Sequence, residues 1–258
     1  MAVTIFQALL LSLVEGITEF LPISSTGHLI LASQILDVAQ TEFVKSFEIV
    51  IQFGAILAVV FLYRQRLVKD FEGWKKIITA FIPTAILGLI LYKIVKSSLL
   101  GNSWVVVVSL FVGGILLVAI EKYFKSKERV KDFAKLSYKQ SFLIGLGQSV
   151  SMIPGVSRSA ATIITGMFLG MDRKSAAEFS FLLAVPTMAA ATGLDLLKSR
   201  WAFSIDEYLL LTIGFVGAFF SALLAVKYFI EFVQKHTFVG FGIYRIVVAL
   251  LFWLVFLR

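Results

Sequence analysis

The sequence predicts an all-α integral membrane protein with six transmembrane helices plus two re-entrant helix pairs, arranged as an inverted-topology repeat. Three observations predict it. Hydrophobic residues are 59% and charged residues 16% of the 258, with mean hydropathy +0.93. A soluble domain has roughly 45–50% apolar and about 25% charged residues, so lipid must serve as part of this chain's solvent. Six apolar runs are long enough to cross a bilayer. Two further apolar stretches are each broken in the middle by a proline and a serine cluster.

In chain order, the first broken stretch covers 2–36 and contains LVEGITEFLPISSTGHLILAS, read as a helix, a break and a second helix. Spans follow at about 46–63, 75–96 and 103–121, the second interrupted by Pro83. The second broken stretch, 139–170, contains LIGLGQSVSMIPGVSRSAATIITG. Spans at about 178–197, 206–227 and 238–257 complete the chain, with Pro186 inside the first of these. At an offset of 132 residues Pro22 falls on Pro154, Ser25 on Ser157 and Phe47 on Phe179. The predicted organisation is one membrane domain over 1–258, with repeat one about 2–63 and repeat two about 139–197. Three spans lie between the two broken stretches, and an odd number inverts the second.

Loop charge orients the chain. With the 64–76 and 122–139 loops inside, sixteen lysines and arginines fall on that side and six on the other. This asymmetry obeys the positive-inside rule and puts both chain ends outside. The net charge of +8 is thereby assigned to cytoplasmic loops, and no nucleic-acid partner is expected. The first pair then dips in from outside and the second from inside, so that their tips can meet. The N-terminus lacks the basic segment of a cleavable signal peptide, its first charged residue being Glu15. With no cysteine, disulfide scaffolds, thiolate metal sites and thiol catalysis are excluded. Two histidines, His28 and His236, are too few for a poly-histidine metal site.

The chemistry concentrates at the two breaks. Glu15 and Glu19 are four residues apart and share a helix face. Paired carboxylates in an apolar helix need a cation, a proton or water as compensation. After Pro22 come Ser24, Ser25, Thr26 and His28 at the start of the next helix, where free N–H groups suit an anion such as phosphate. The second break supplies Gly155, where backbone can approach a ligand, then Ser157, Arg158, Ser159 and, one turn on, Thr162. Arg158 is a fixed cation with a fork suited to phosphate oxygens. Together these groups suit phosphoryl transfer: cations for the equatorial oxygens, a hydroxyl nucleophile, a base, and Glu15 and Glu19 to hold a divalent metal.

Each residue also has a plain structural reading. Ser24, Ser25 and Thr26 after a proline are ordinary helix caps, a glutamate with Arg158 is a buried ion pair, and His28 is a packing residue. Their joint occurrence in both halves of the repeat favours the site. Arg245, alone in the last span, is assigned a supporting or helix-packing role. Glu48 and Gln52 are one turn apart on the span after the first break and are placed beside the cavity. The competing function is a secondary transporter or lipid flippase, because inverted repeats with broken helices are transporter architecture. Transport leaves the serine, carboxylate and arginine unused. An ion channel is weaker still, because no ring or filter repeats.

The motifs EGITEFLPISSTGH at 15–28, FEIVIQFGAILAVV at 47–60 and PGVSRSAAT at 154–162 resemble the undecaprenyl-diphosphatase family, also called the bacitracin-resistance phosphatases. The resemblance spans essentially the whole chain. It implies a multi-pass enzyme of the bacterial plasma (inner) membrane, with its active site facing outside. Its substrate is a polyprenyl diphosphate lipid, and its products are undecaprenyl phosphate and inorganic phosphate. The lipid carrier is thereby recycled for peptidoglycan, and overproduction confers bacitracin resistance. The resemblance also implies a divalent cation, magnesium or calcium, and is compatible with a homodimer. Carried over by motif, Ser25 resembles the nucleophile, Glu19 its activating carboxylate and Glu15 the second acid. Ser24, Thr26 and His28 match the remaining positions of the first motif. Arg158 with Ser157, Ser159 and Thr162 matches the phosphate-binding motif. His28 remains an alternative nucleophile.

Overall fold

A computed structural model describes residues 3–95, 99, 102–123, 130–198 and 203–257. Among these residues the secondary structure is helical apart from one isolated bridge between Val130 and Met171. The helices are α1 (Ile5–Thr18), α2 (Ser25–Ile35), α3 (Glu42–Leu62), α4 (Arg64–Lys69), α5 (Phe71–Ile94), α6 (Ser103–Tyr123), α7 (Tyr138–Ser149), α8 (Arg158–Phe168), α9 (Arg173–Lys198), α10 (Ile205–Lys235) and α11 (Val239–Phe252). By length and composition six segments are able to cross a membrane: Glu42–Leu62, Phe71–Leu91, Ser103–Lys122, Arg173–Leu194, Ile205–Lys235 and Val239–Leu257. They match the six predicted spans.

The differences are at the ends. The predicted end of the second span at residue 96 lies outside the described residues. α10 continues eight residues beyond the predicted 227. Phe229 and Val233 keep the helical spacing of the buried face there, so the charges at Lys227 and Lys235 do not end it. Pro83 and Pro186 lie inside α5 and α9 and terminate neither. α7 crosses α5 beside Pro83 at Gly145, where any Cβ would run into the Ala80 carbonyl. Large apolar side chains such as Leu89, Ile90, Val108, Leu224 and Val255 stand exposed on these helices, as lipid-facing surfaces do.

Both predicted broken stretches are helix–break–helix units. α1 ends at Thr18 and α2 begins at Ser25. α7 runs into a 3₁₀ turn, Val150–Met152, before α8 begins at Arg158. Local features recur between the two units at a spacing of 133 residues. Thr4 and Ser137 are N-caps with capping boxes closed by Gln7 and Gln140. Those glutamines donate to the carbonyls of Leu36 and Leu169, both at 2.9 Å. Ser24 and Ser157 are N-caps with φ 72°, and Asp37 and Gly170 are also at positive φ. This corrects the offset of 132 read from the prolines. Pro22 precedes its cap Ser24 by two residues and Pro154 precedes its cap Ser157 by three, so the prolines are not equivalent positions. In the structural register Ser25 corresponds to Arg158, Thr26 to Ser159 and Glu15 to Gln148.

The packing exchanges helices between the halves. α10 packs on α1 and α3, α7 on α5, and α6 on α11. Small residues permit the close crossings: a Cβ on Gly16 would meet Ser221, and one on Gly54 would meet the Phe215 carbonyl. The main apolar core centres on α3, α9 and α10, with Phe20, Phe179, Phe181 and Phe229 among its largest members. At one end, Arg66 pairs with Asp70, Asp132 and Glu178, and Arg173 pairs with Glu121. These ties fix the loops around α4 and the 130–137 segment to α9.

Candidate active site

The tips of the two broken pairs meet. The α1 C-terminus delivers Glu19, which accepts two hydrogen bonds. Ser25 Oγ donates to Glu19 Oε2 at 2.5 Å, and Arg158 Nη2 donates to Glu19 Oε1 at 2.8 Å. Ser25 and Arg158 are the first residues of α2 and α8, so the carboxylate bridges two helix N-termini. The Glu19–Arg158 pair is buried, with side chains 5% and 11% exposed. Ser180 on α9 holds the rest of the guanidinium: its carbonyl accepts from Arg158 Nη1 at 2.8 Å, with its hydroxyl at 3.3 Å. The guanidinium also lies over the Phe20 ring, 5.6 Å from its centroid. Arg158 Nε is buried and has no partner among the described residues.

The caps are built locally. Ser24 accepts from Gly27 N–H at 3.3 Å and Ser157 from Ala160 N–H at 3.1 Å. Each satisfies one of the free donors of its helix start. Both serines occupy the left-handed region, which costs a side-chain-bearing residue about 1–3 kcal/mol and clusters at functional sites. Between the breaks lies a cavity of about 160 Å³, lined by Glu19, Ser24, Ser25, Thr26, Gln52, Ser151, Pro154, Gly155, Ser157, Arg158 and Met188. At about 30 Å³ per water molecule, it has room for a phosphoryl group. A polar cavity with two helix N-termini and an arginine at its wall suits an anion.

The sequence profile of the bacitracin resistance protein BacA family matches residues 8–251. The chain belongs to this family. A protein of Aquifex aeolicus named undecaprenyl-diphosphatase is 54% identical over 254 residues, 98% of this chain and 99% of that protein. One from Persephonella marina is 53% identical over 97% of this chain and 98% of its own length. One from Methanococcus aeolicus is 46% identical over 98% and 99%; both carry the same name.

The remaining predicted residues of this BacA-family chain fall into distinct places. Glu15 is fully buried one turn before Glu19, beside its carboxyl group, and its oxygens have no hydrogen-bond donor among the described residues. A buried carboxylate without donors is costly unless a proton or a cation sits on it. Gln148, its counterpart, has its amide nitrogen 2.8 Å from Thr84 Oγ1 and 3.2 Å from Thr187 Oγ1. Ser159 lies below the cavity and donates to the Phe20 carbonyl at 2.7 Å, locking one tip to the other. Thr162 packs its hydroxyl 2.7 Å from Ser180 Oγ, behind Arg158. His28 is not in the cavity wall. Its Nδ1 lies 2.8 Å from the Ser24 carbonyl, so it carries the proton, and Nε2 accepts from Tyr244 OH at 2.7 Å. Glu48 is held by Gln40 at 3.3 Å and is absent from the wall, whereas Gln52 is in it.

Sequence reasoning missed Ser180, Ser151, Met188 and Tyr244. Ser180 carried a readable signal, a hydroxyl inside an apolar span. Tyr244 meets His28 across 216 residues of chain and carried none.

Proposed function

We propose that this chain hydrolyses undecaprenyl diphosphate to undecaprenyl phosphate and inorganic phosphate, recycling the lipid carrier for cell-wall synthesis. The observation that carries the mechanism is the continuous Ser25–Glu19–Arg158 hydrogen-bonded chain in a phosphate-sized polar cavity. Ser25 is the nucleophile and Glu19 its base. As Ser25 Oγ bonds to the terminal phosphorus, its proton passes to Glu19 Oε2. The bond from that phosphorus to the bridging oxygen breaks, and undecaprenyl phosphate leaves as the anion. Water then bonds to the phosphorus of the phosphoserine, the P–Oγ bond breaks, Glu19 returns its proton to Ser25 Oγ, and the water proton leaves with inorganic phosphate. Arg158 and the N–H groups at the starts of α2 and α8 stabilise charge on the phosphoryl oxygens. A transporter would need neither the serine–carboxylate bond nor a base.

Glu15, with Glu19 beside it, would hold a divalent cation, magnesium or calcium, because the two buried Glu15 oxygens have no donor among the described residues. Such an ion neutralises diphosphate charge. No cluster of three or more acidic or histidine side chains forms a metal cage among the described residues. The helix–break–helix pairs are re-entrant in this reading. The excess of loop charge on one side supports a cavity that opens to the outer face of the inner membrane.

The test is phosphate release from a polyprenyl diphosphate by purified protein, with and without chelator. Release that stops on chelation and returns with magnesium or calcium is expected. Glu15→Gln should raise the metal concentration needed, and Glu19→Gln should lower turnover roughly 10²-fold or more. Near-wild-type turnover at low metal in both variants contradicts these roles.

A further inference from the structure

We propose that Arg245 is a positioning residue for the phosphate cavity, holding the two site-bearing breaks in register and placing a fixed positive charge behind them. The proposal rests on the phosphatase reading above. Arg245 lies on α11 and is fully buried. Its guanidinium donates only to backbone carbonyls. Nε reaches Leu110 at 3.3 Å, Nη2 reaches Ser109 and Gly155 at 3.0 Å each, and Nη1 reaches Pro22 and Val156 at 3.1 Å each. Five N–H groups meet five carbonyls, so the donor set is saturated. No carboxylate pairs with it among the described residues, so its charge is solvated by dipoles and not cancelled by an anion.

Nη1 is the link. Pro22 belongs to the first break and Val156 to the second. These carbonyls come just before Ser24–Ser25 and Ser157–Arg158. One nitrogen therefore fixes the spacing between the nucleophile's loop and the arginine's loop, and the contacts to Ser109 and Leu110 anchor both to α6. A trans peptide holds its N–H opposite to its C=O. The Val156 carbonyl turned onto Arg245 thus turns the Ser157 N–H away from it. Ser157 and Gly155 line the cavity, whereas Arg245 does not. Space for the guanidinium is built in at Gly113 of α6, where a Cβ would collide with Nη2. An arginine that merely packed two helices would not need three of its five donors aimed at the site-bearing breaks, with the other two on carbonyls of α6.

Two variants separate this from a packing role. Arg245→Lys keeps the charge but puts three donors on one nitrogen, which cannot span five carbonyls. Gly113→Ala keeps Arg245 but pushes its fork off the carbonyls, and carries the test if Arg245→Lys does not fold. Turnover, KM for undecaprenyl diphosphate and detergent melting temperature are measured for each. Turnover per folded molecule should fall about 10- to 100-fold in both, as misplacement of reacting groups costs, with a smaller change in KM. Arg245→Gln, which also removes the charge, should in addition weaken inhibition by inorganic phosphate. Wild-type turnover per folded molecule in Arg245→Lys or Gly113→Ala overturns the proposal, even where total activity falls in step with folded protein. A wild type that releases no phosphate sinks the phosphatase reading, and this proposal with it.

Discussion

Glu19 is the residue on which the site turns, because its carboxylate is hydrogen-bonded to both Ser25, the proposed nucleophile, and Arg158. That contact also raises the plain alternative, in which Glu19 and Arg158 are a structural ion pair. Removing one partner of a buried pair leaves an uncompensated charge and costs roughly 3–5 kcal/mol, while neutral replacement of both is often tolerated. The two roles therefore predict different double variants. Arg158→Lys and Glu19→Gln should each lower turnover by roughly 10²–10³, the scale for a lost transition-state contact. The double variant Glu19→Gln with Arg158→Gln should regain melting temperature but not turnover. Recovery of both would assign the pair to architecture. These residues were legible because charged groups in apolar helices are rare and the spacing of Glu15 and Glu19 puts them on one face. The state of His28 was not legible. Its ring nitrogens are taken by the Ser24 carbonyl and by Tyr244, a residue far along the chain. With both ring nitrogens engaged and no place in the cavity wall, it is a strut for the loop that carries Ser25, which favours Ser25 over His28 as the proposed nucleophile.

At the scale of elements, the two broken pairs owe their geometry to serine N-caps held at positive φ. A cap oxygen is worth about 1 kcal/mol, and the left-handed backbone costs a comparable amount. Ser157→Gly loses the oxygen bonded to Ala160 N–H but relieves the backbone. Ser157→Ala loses the oxygen and keeps the cost. Ser157→Ala should therefore melt lower than Ser157→Gly, by a few degrees in detergent. Equal melting of the two would remove the argument that the backbone is strained there. The broken pairs themselves were visible in the sequence from proline, glycine and serine inside apolar runs. Their register was not. The prolines suggested 132, but the capping boxes and the paired Gln7 and Gln140 contacts set 133. A capping box is a local pattern easily passed over in so apolar a chain. With that register, Ser25 of one unit and Arg158 of the other occupy equivalent helix starts. Glu15, which faces the metal reading, stands where the other unit has a neutral glutamine.

For the whole molecule, helices of the two halves pack on one another and the two tips meet, and the asymmetry of loop charge is the basis of the proposed orientation. Composition and apolar run length were enough to read the six spans. Run length could not reveal that α10 continues past Lys227, because snorkelling lysines at a span's end do not stop a helix. Nor could it show that α1 packs on α10 and α7 on α5, since small-residue crossings leave no periodic mark. Orientation has a direct check in this cysteine-free chain. Thr26 lines the cavity and is half-buried. Thr26→Cys in intact cells should react with a small impermeant thiol reagent added from outside, and labelling only from the cytoplasmic side would reverse the assigned topology. The central claim is that Ser25, activated by Glu19, takes the terminal phosphoryl group. The measurement is a single-turnover reaction of purified protein with undecaprenyl diphosphate labelled in that group, quenched in acid and followed by peptide mapping. Label on the peptide carrying Ser25, absent in Ser25→Ala together with phosphate release, is the predicted result; full phosphate release by Ser25→Ala would contradict it.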